Sequence, residues 1–145
     1  MTAQTTANNR PTWAVIGGGN VRQPLAGHLA IMGFAVRLYD IFPETIDVIR
    51  RAGGIQVEGA VDGFGNLELA TTDISKALDG ADLIMVVAPA IAHRQIAEAC
   101  APYLADNQII FIHPGATAGA LEFKKVLSDC NCDKNITLAE AESLL

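Results

Sequence analysis

Short apolar runs and helically spaced apolar positions take turns along this chain. TWAVI (12–16) and AVRLY (35–39) each predict a buried strand. Between them Leu25, Leu29 and Met32 recur at helical spacing, and Gly33 stands where a helix-ending glycine belongs. Together these stretches make one β-α-β unit. PETIDVIRRAGG (43–54) predicts the next helix, with a proline suited to its first turn and arginines and glycines suited to its last. GIQVEG and LELAT alternate apolar and polar residues and predict two short strands, with glycine-rich AVDGFGN as the loop between them.

TDISKALDG (72–80) predicts a short helix stopped at Gly80, and DLIMVVAP (82–89) is the most apolar strand, as expected at the centre of a sheet covered on both faces. A helix over 92–104, the strand QIIFI (108–112), the loop HPGATAG, a helix over 120–127 and the strand ITLAE (136–140) complete the pattern. Strand and helix alternation of this kind specifies an α/β fold with a doubly wound, mostly parallel sheet, the Rossmann arrangement.

Composition narrows the partners. The 145 residues suffice for one domain, read here as 12–145 behind a polar, flexible tail over 1–11. The net charge of −6 denies the chain the basic surface that nucleic acids require. The longest apolar run, Leu83 to Ala92, is too short to span a membrane, and the polar start MTAQTTANNRP lacks the apolar core of a secretory signal. A cytoplasmic protein is expected. Cys100, Cys130 and Cys132 are odd in number and have no histidine close to the C-x-C pair, so they read as reduced thiols rather than a disulfide framework or a metal site.

The candidate chemistry begins at WAVIGGGNVRQPLAGHLA (13–30). A glycine-rich turn between a strand and a helix aims backbone N–H groups and the positive end of the helix dipole at an anion, which in a dinucleotide is the pyrophosphate. Gly17 permits the tight turn and Gly19 the close approach of backbone to phosphate. Asp40, at the end of the second strand, is placed to accept hydrogen bonds from the adenosine ribose. Its charge repels a 2′-phosphate, and IFPET after it offers no lysine or arginine, so NAD(H) is expected over NADP(H).

Two residues depart from the pattern. Arg22 occupies the position of the third glycine, from which it either snorkels to solvent, reaches the pyrophosphate or pushes helix and strand apart. Pro24 predicts a helix that starts later than usual.

From Trp13 onward the chain resembles the NAD-binding N-terminal domain of the octopine and opine dehydrogenases. The likeness rests on GGGN after the first strand, YD ending the second, VVAPAIAH after the central strand and HPGATAGALEF after the next. That resemblance implies an oxidoreductase that reductively condenses an amino acid with a 2-keto acid. It places Gly17, Gly19 and Asn20 at the pyrophosphate, Asp40 at the ribose, Pro89 and Ala90 near the nicotinamide half, and Gly115 and Thr117 at the same sheet edge. Val21, Arg22, Pro24 and His113 differ from the family's usual residues.

The resemblance also implies that the catalytic histidine and its acidic partner belong to a second, helical domain, absent from this chain. No catalytic residue is therefore assigned. His28 reads as a helix-face residue, His93 and His113 fall just beyond strand ends on the cofactor side, and Glu140 and Glu142 either border the full enzyme's active site or face water. Dinucleotide binding without turnover is expected, with self-association through apolar surface near Leu144 and Leu145. The alternatives are a domain of ketopantoate reductase or glycerol-3-phosphate dehydrogenase type, and a non-catalytic module that senses NAD or binds a protein.

Overall fold

The computed structural model describes residues 9–17, 21–115 and 118–142. Gly19, Asn20, Thr117, Leu144 and Leu145 lie outside them. The elements run β1 (Thr12–Gly17), α1 (Arg22–Ile31), β2 (Ala35–Tyr39), α2 (Pro43–Ala52), β3 (Gly54–Val57), β4 (Gly63–Asn66), β5 (Leu69–Thr71), α3 (Ile74–Leu78), β6 (Leu83–Val87), α4 (Ala90–Cys100), β7 (Ile109–Ile112), α5 (Gly119–Asp129) and β8 (Thr137–Glu140).

Among the described residues six strands form one parallel sheet in the order β5-β2-β1-β6-β7-β8, and β3 pairs antiparallel with β4 in a separate hairpin. Counted along the large sheet alone, the order is 3-2-1-4-5-6, the doubly wound arrangement expected from the alternating pattern. Both faces are covered, which explains the continuous apolar runs. Ala14, Ile16, Ile84, Val86, Ile110 and Ile112 point to the face packed by α4 and α5, against Ala97, Cys100, Phe123 and Val126. Val15, Val36, Leu38, Met85 and Val87 point to the other, against Ala26 and Leu29 of α1, Ile46 and Ile49 of α2, and the hairpin residues Ile55 and Val57.

Helix ends follow local chemistry. Pro43 opens α2, and Gly53 closes it in the left-handed conformation at φ 78°. Asp73 caps α3 by accepting from the Ser75 N–H at 3.0 Å.

Three boundaries differ from the sequence expectation. AVDGFGN is not all loop, because Gly63–Asn66 forms β4 against β3. The helix expected over 92–104 is α4 followed by a 3₁₀ turn, Ala101–Tyr103, where Pro102 supplies no N–H to continue the α pattern. The helix expected over 72–80 contracts to Ile74–Leu78. Among the described residues no helix is long and apolar enough to cross a membrane.

Candidate functional site

Parallel pairing brings the strand ends together at one edge of the sheet. Gly17 stands opposite Val87, Tyr39 opposite both Ile16 and Thr71, and Ile112 opposite both Val86 and Glu140. Between β1 and β6 the connections leave in opposite directions, which opens a crevice beyond the strand ends where ligands bind in doubly wound sheets. Gly17 is obligatory for a steric reason: a Cβ there would run into the Val87 carbonyl.

Helix α1 begins at Arg22, directly after the turn. Pro24 is its third residue, where the N–H would have no intrahelical acceptor in any case, and the Leu25 N–H donates to the Val21 carbonyl at 3.4 Å. Helix α1 thus starts at the position of the fingerprint's third glycine, with Pro24 in its first turn. Close packing is supplied one turn further on. Gly27 lies against the hairpin, where a Cβ would come within 2.6 Å of Val57 Cγ2.

Arg22 neither reaches solvent nor forces the elements apart. It is 3% exposed, and its guanidinium forms an ion pair with the carboxylate of Asp40, which is fully buried. Burial lowers the pKa of the guanidinium from its ordinary value. Asp40 Oδ1 also accepts from the Phe42 N–H at 3.1 Å, and the Asp40 N–H donates to the Thr71 carbonyl at 3.2 Å. The carboxylate just beyond the end of β2 is thus fully buried, with its charge compensated by Arg22.

Next to Gly17 a cavity of about 160 Å³ opens between β1, β2, α3 and α4. Ile41, Ile74, Ala92 and Ile96 give it apolar walls, while Tyr39 and Gln95 supply polar groups. Burial raises the pKa of the Tyr39 phenol, with smaller contributions from Cys100 and Asp73, so it remains a neutral donor. A slot of this composition suits a flat, weakly polar ring. These residues come from separate elements and share no motif. A larger groove, about 480 Å³, lies between α5 and the edge strand β8, at the far side of the sheet from β1 and β2.

Pro89 is the N-cap residue of α4 and Ala90 its first residue, both exposed beside the crevice. Gly115 is buried at the end of β7, packed so closely against Glu140 that a Cβ would come within 2.6 Å of that side chain. Glu140 neither hangs free nor simply faces water, because its Oε2 accepts from the Ala120 N–H at 2.7 Å and caps α5. His93 lies in the first turn of α4. It is fully buried, and Nε2 hydrogen-bonds the Ala88 carbonyl at 3.0 Å, tying the helix to the end of β6. His113 is also buried, its N–H bonded to the Val86 carbonyl at 2.8 Å and its ring edge-on to Phe111. Both histidines brace the sheet edge.

Residues 12–130 match the family model for the N-terminus of NAD-dependent glycerol-3-phosphate dehydrogenase. The chain is similar to the opine dehydrogenase of Arthrobacter sp. (strain 1C), 41% identical over 135 residues, a match covering 92% of this chain and 37% of that protein. Among solved structures it resembles octopine dehydrogenase with NADH and pyruvate, at a TM-score of 0.75 and 24% identity over 92% of this chain and 36% of that one. A ketopantoate reductase from Ralstonia eutropha shares the fold at a TM-score of 0.71 and 24% identity, covering 88% of this chain and 39% of that one. The chain spans little more than a third of each of these proteins.

Proposed function

The chain belongs to the family of NAD-dependent glycerol-3-phosphate dehydrogenase N-termini, and from that premise we propose that it is the NAD(H)-binding domain of an opine-dehydrogenase-like oxidoreductase. The observation that carries this reading is the crevice between β1 and β6, where Gly17, the start of α1, Asp40 and the apolar slot all meet one sheet edge. The family match alone admits a glycerol-3-phosphate dehydrogenase; the 41% identity to an opine dehydrogenase selects the opine branch.

In this reading Gly17, Gly19 and Asn20 hold the pyrophosphate against the positive end of α1, and Asp40 lies at the adenosine ribose. The slot bounded by Ile41, Ile74, Ala92 and Ile96 takes the adenine. Pro89 and Ala90 border the nicotinamide half, with Gly115 and Thr117 at the same edge. Gly115 acts by letting Glu140 pack close and cap α5. Bound NADH supplies the hydride for joining an amino acid to a 2-keto acid.

No acid or base of this chain is assigned to that reaction, because His93 and His113 are buried and engaged with the backbone or a neighbouring ring. The catalytic acid and base are assigned to the part of such enzymes that this chain does not span. A cytoplasmic location belongs to the same proposal, supported by three cysteines that are all free thiols.

The test is a titration of NADH into the purified chain, followed by energy transfer from Trp13, the single tryptophan. Its strand position puts it roughly 13 Å from Gly17 by extended-chain rise. Saturable transfer, matched by calorimetric heat, is the expected result. A flat titration by both methods overturns the reading.

A further inference from the structure

We propose that Gln95 is a specificity-determining residue of this domain, and that its side-chain amide selects adenine over a purine carrying oxygen in place of the amino group. The inference rests on the dinucleotide reading above and on the slot beside Gly17 as the place of the base.

Four residues of α4 line that slot: Ala92, Gln95, Ile96 and Ala99. They recur at i, i+3, i+4 and i+7 and so form one stripe along the helix. The three apolar members hold any flat ring alike. Gln95 is the polar member, and it is exposed, so an arriving base can reach it. No hydrogen bond ties its amide to another described residue, whereas Arg94 and Glu98 of the same helix pair with each other. Tyr39 contributes the slot's other polar side chain, but a hydroxyl donates or accepts by rotating and reads no pattern. An amide presents one donor and one acceptor side by side. Along one edge adenine offers their complement, an amino group that donates and N7 that accepts, and glutamine engages the two together. Hypoxanthine offers O6 and N7, both acceptors. Turning the amide over leaves one mismatch in either orientation, and a polar group left unpaired in an apolar slot costs affinity.

The experiment measures, by calorimetry, the affinities of NADH and of its hypoxanthine analogue for the wild-type chain, Gln95→Ala and Gln95→Arg. The ratio of the two affinities is the readout, because partial unfolding of a variant reduces both apparent affinities by the same factor. The wild type is expected to bind NADH about tenfold more tightly than the analogue. Gln95→Ala removes the reading group and should bring the ratio within about threefold of unity. Gln95→Arg presents donors alone, which suit O6 and N7, and should make the analogue the tighter ligand. A wild-type ratio within about threefold of unity, or a ratio unchanged in Gln95→Ala, overturns the inference while leaving NADH binding intact. Absence of saturable binding of either dinucleotide overturns the dinucleotide reading and this inference with it.

Discussion

Gly27 of α1 and Gly65 of β4 meet backbone to backbone: a Cβ on Gly65 would strike the Gly27 carbonyl, and one on Gly27 would press on Val57 and Ile55. The tight seating of the first helix, which the fingerprint ordinarily obtains from its third glycine, is obtained here against the hairpin. Arg22 is thereby free to serve Asp40. Gly65→Ala must displace main chain and is expected to cost about 1–3 kcal/mol. Gly27→Ala presses on the side chains of Val57 and Ile55 rather than on main chain and gains helix propensity of about 1 kcal/mol, so its net cost should be smaller. Urea unfolding of both variants tests the order, which is wrong if Gly27→Ala has the lower midpoint at unchanged slope.

The same contact marks the limit of what the sequence discloses. β1, β2, β6 and β7 are legible because apolar runs of strand length suit a sheet buried on both faces. β4 is not, since GFGN carries the composition of a turn and its strand form depends on glycines that admit α1. Asp40 is legible from its spacing to the turn, but its pairing with Arg22 depends on how β2 and α1 sit in three dimensions. The slot formed by Ile41, Ile74, Ala92 and Ile96 exists only once separate elements converge. His93 follows β6 inside the expected helix, but its burial and its bond to the Ala88 carbonyl depend on how α4 packs on the sheet.

Helix α5 has no side-chain cap from its own N-cap residue, Ala118, which sits in the left-handed conformation at φ 64°. Glu140 supplies the acceptor from β8 instead. Glu140→Ala should therefore destabilise the chain by about 0.5–2 kcal/mol, within the range of lost helix caps. Glu140→Gln keeps an acceptor and loses only the charge at the helix N-terminus, about 0.3–1 kcal/mol. Denaturant midpoints that place Glu140→Gln below Glu140→Ala would show that the carboxylate does not act as a cap.

Cys100 is fully buried between α4 and the sheet, and burial pushes its thiol up to about 12 from an ordinary 9.0. In the folded chain it holds its proton over a range where the unfolded chain releases it. Stability from this group is fully present below pH 9 and lost as pH rises from there toward 12. Cys130 is exposed and Cys132 half-buried, so a thiol reagent at pH 8 should modify these two quickly and Cys100 only on unfolding. Three fast equivalents from the native chain would contradict the buried assignment.

Ile41 separates function from fold most cleanly. It is 63% exposed although large and apolar, and it forms a wall of the slot beside Gly17. Nothing in the core depends on it, so Ile41→Asp should change stability by no more than about 0.5 kcal/mol. If the slot receives the adenine, the variant loses on binding the burial of the exposed part of the isoleucine, about 1–2 kcal/mol. That converts to a roughly five- to thirtyfold weaker NADH affinity at about 1.4 kcal/mol per decade. The added carboxylate acts in the same direction, because it repels an anionic cofactor. Ile41→Ala isolates the apolar part, and its loss should be smaller than that of Ile41→Asp. Calorimetry on both variants, with thermal unfolding as the control, tests the assignment. Unchanged NADH affinity in Ile41→Asp at unchanged stability would move the adenine out of this slot and leave the exposed isoleucine without a function in the crevice.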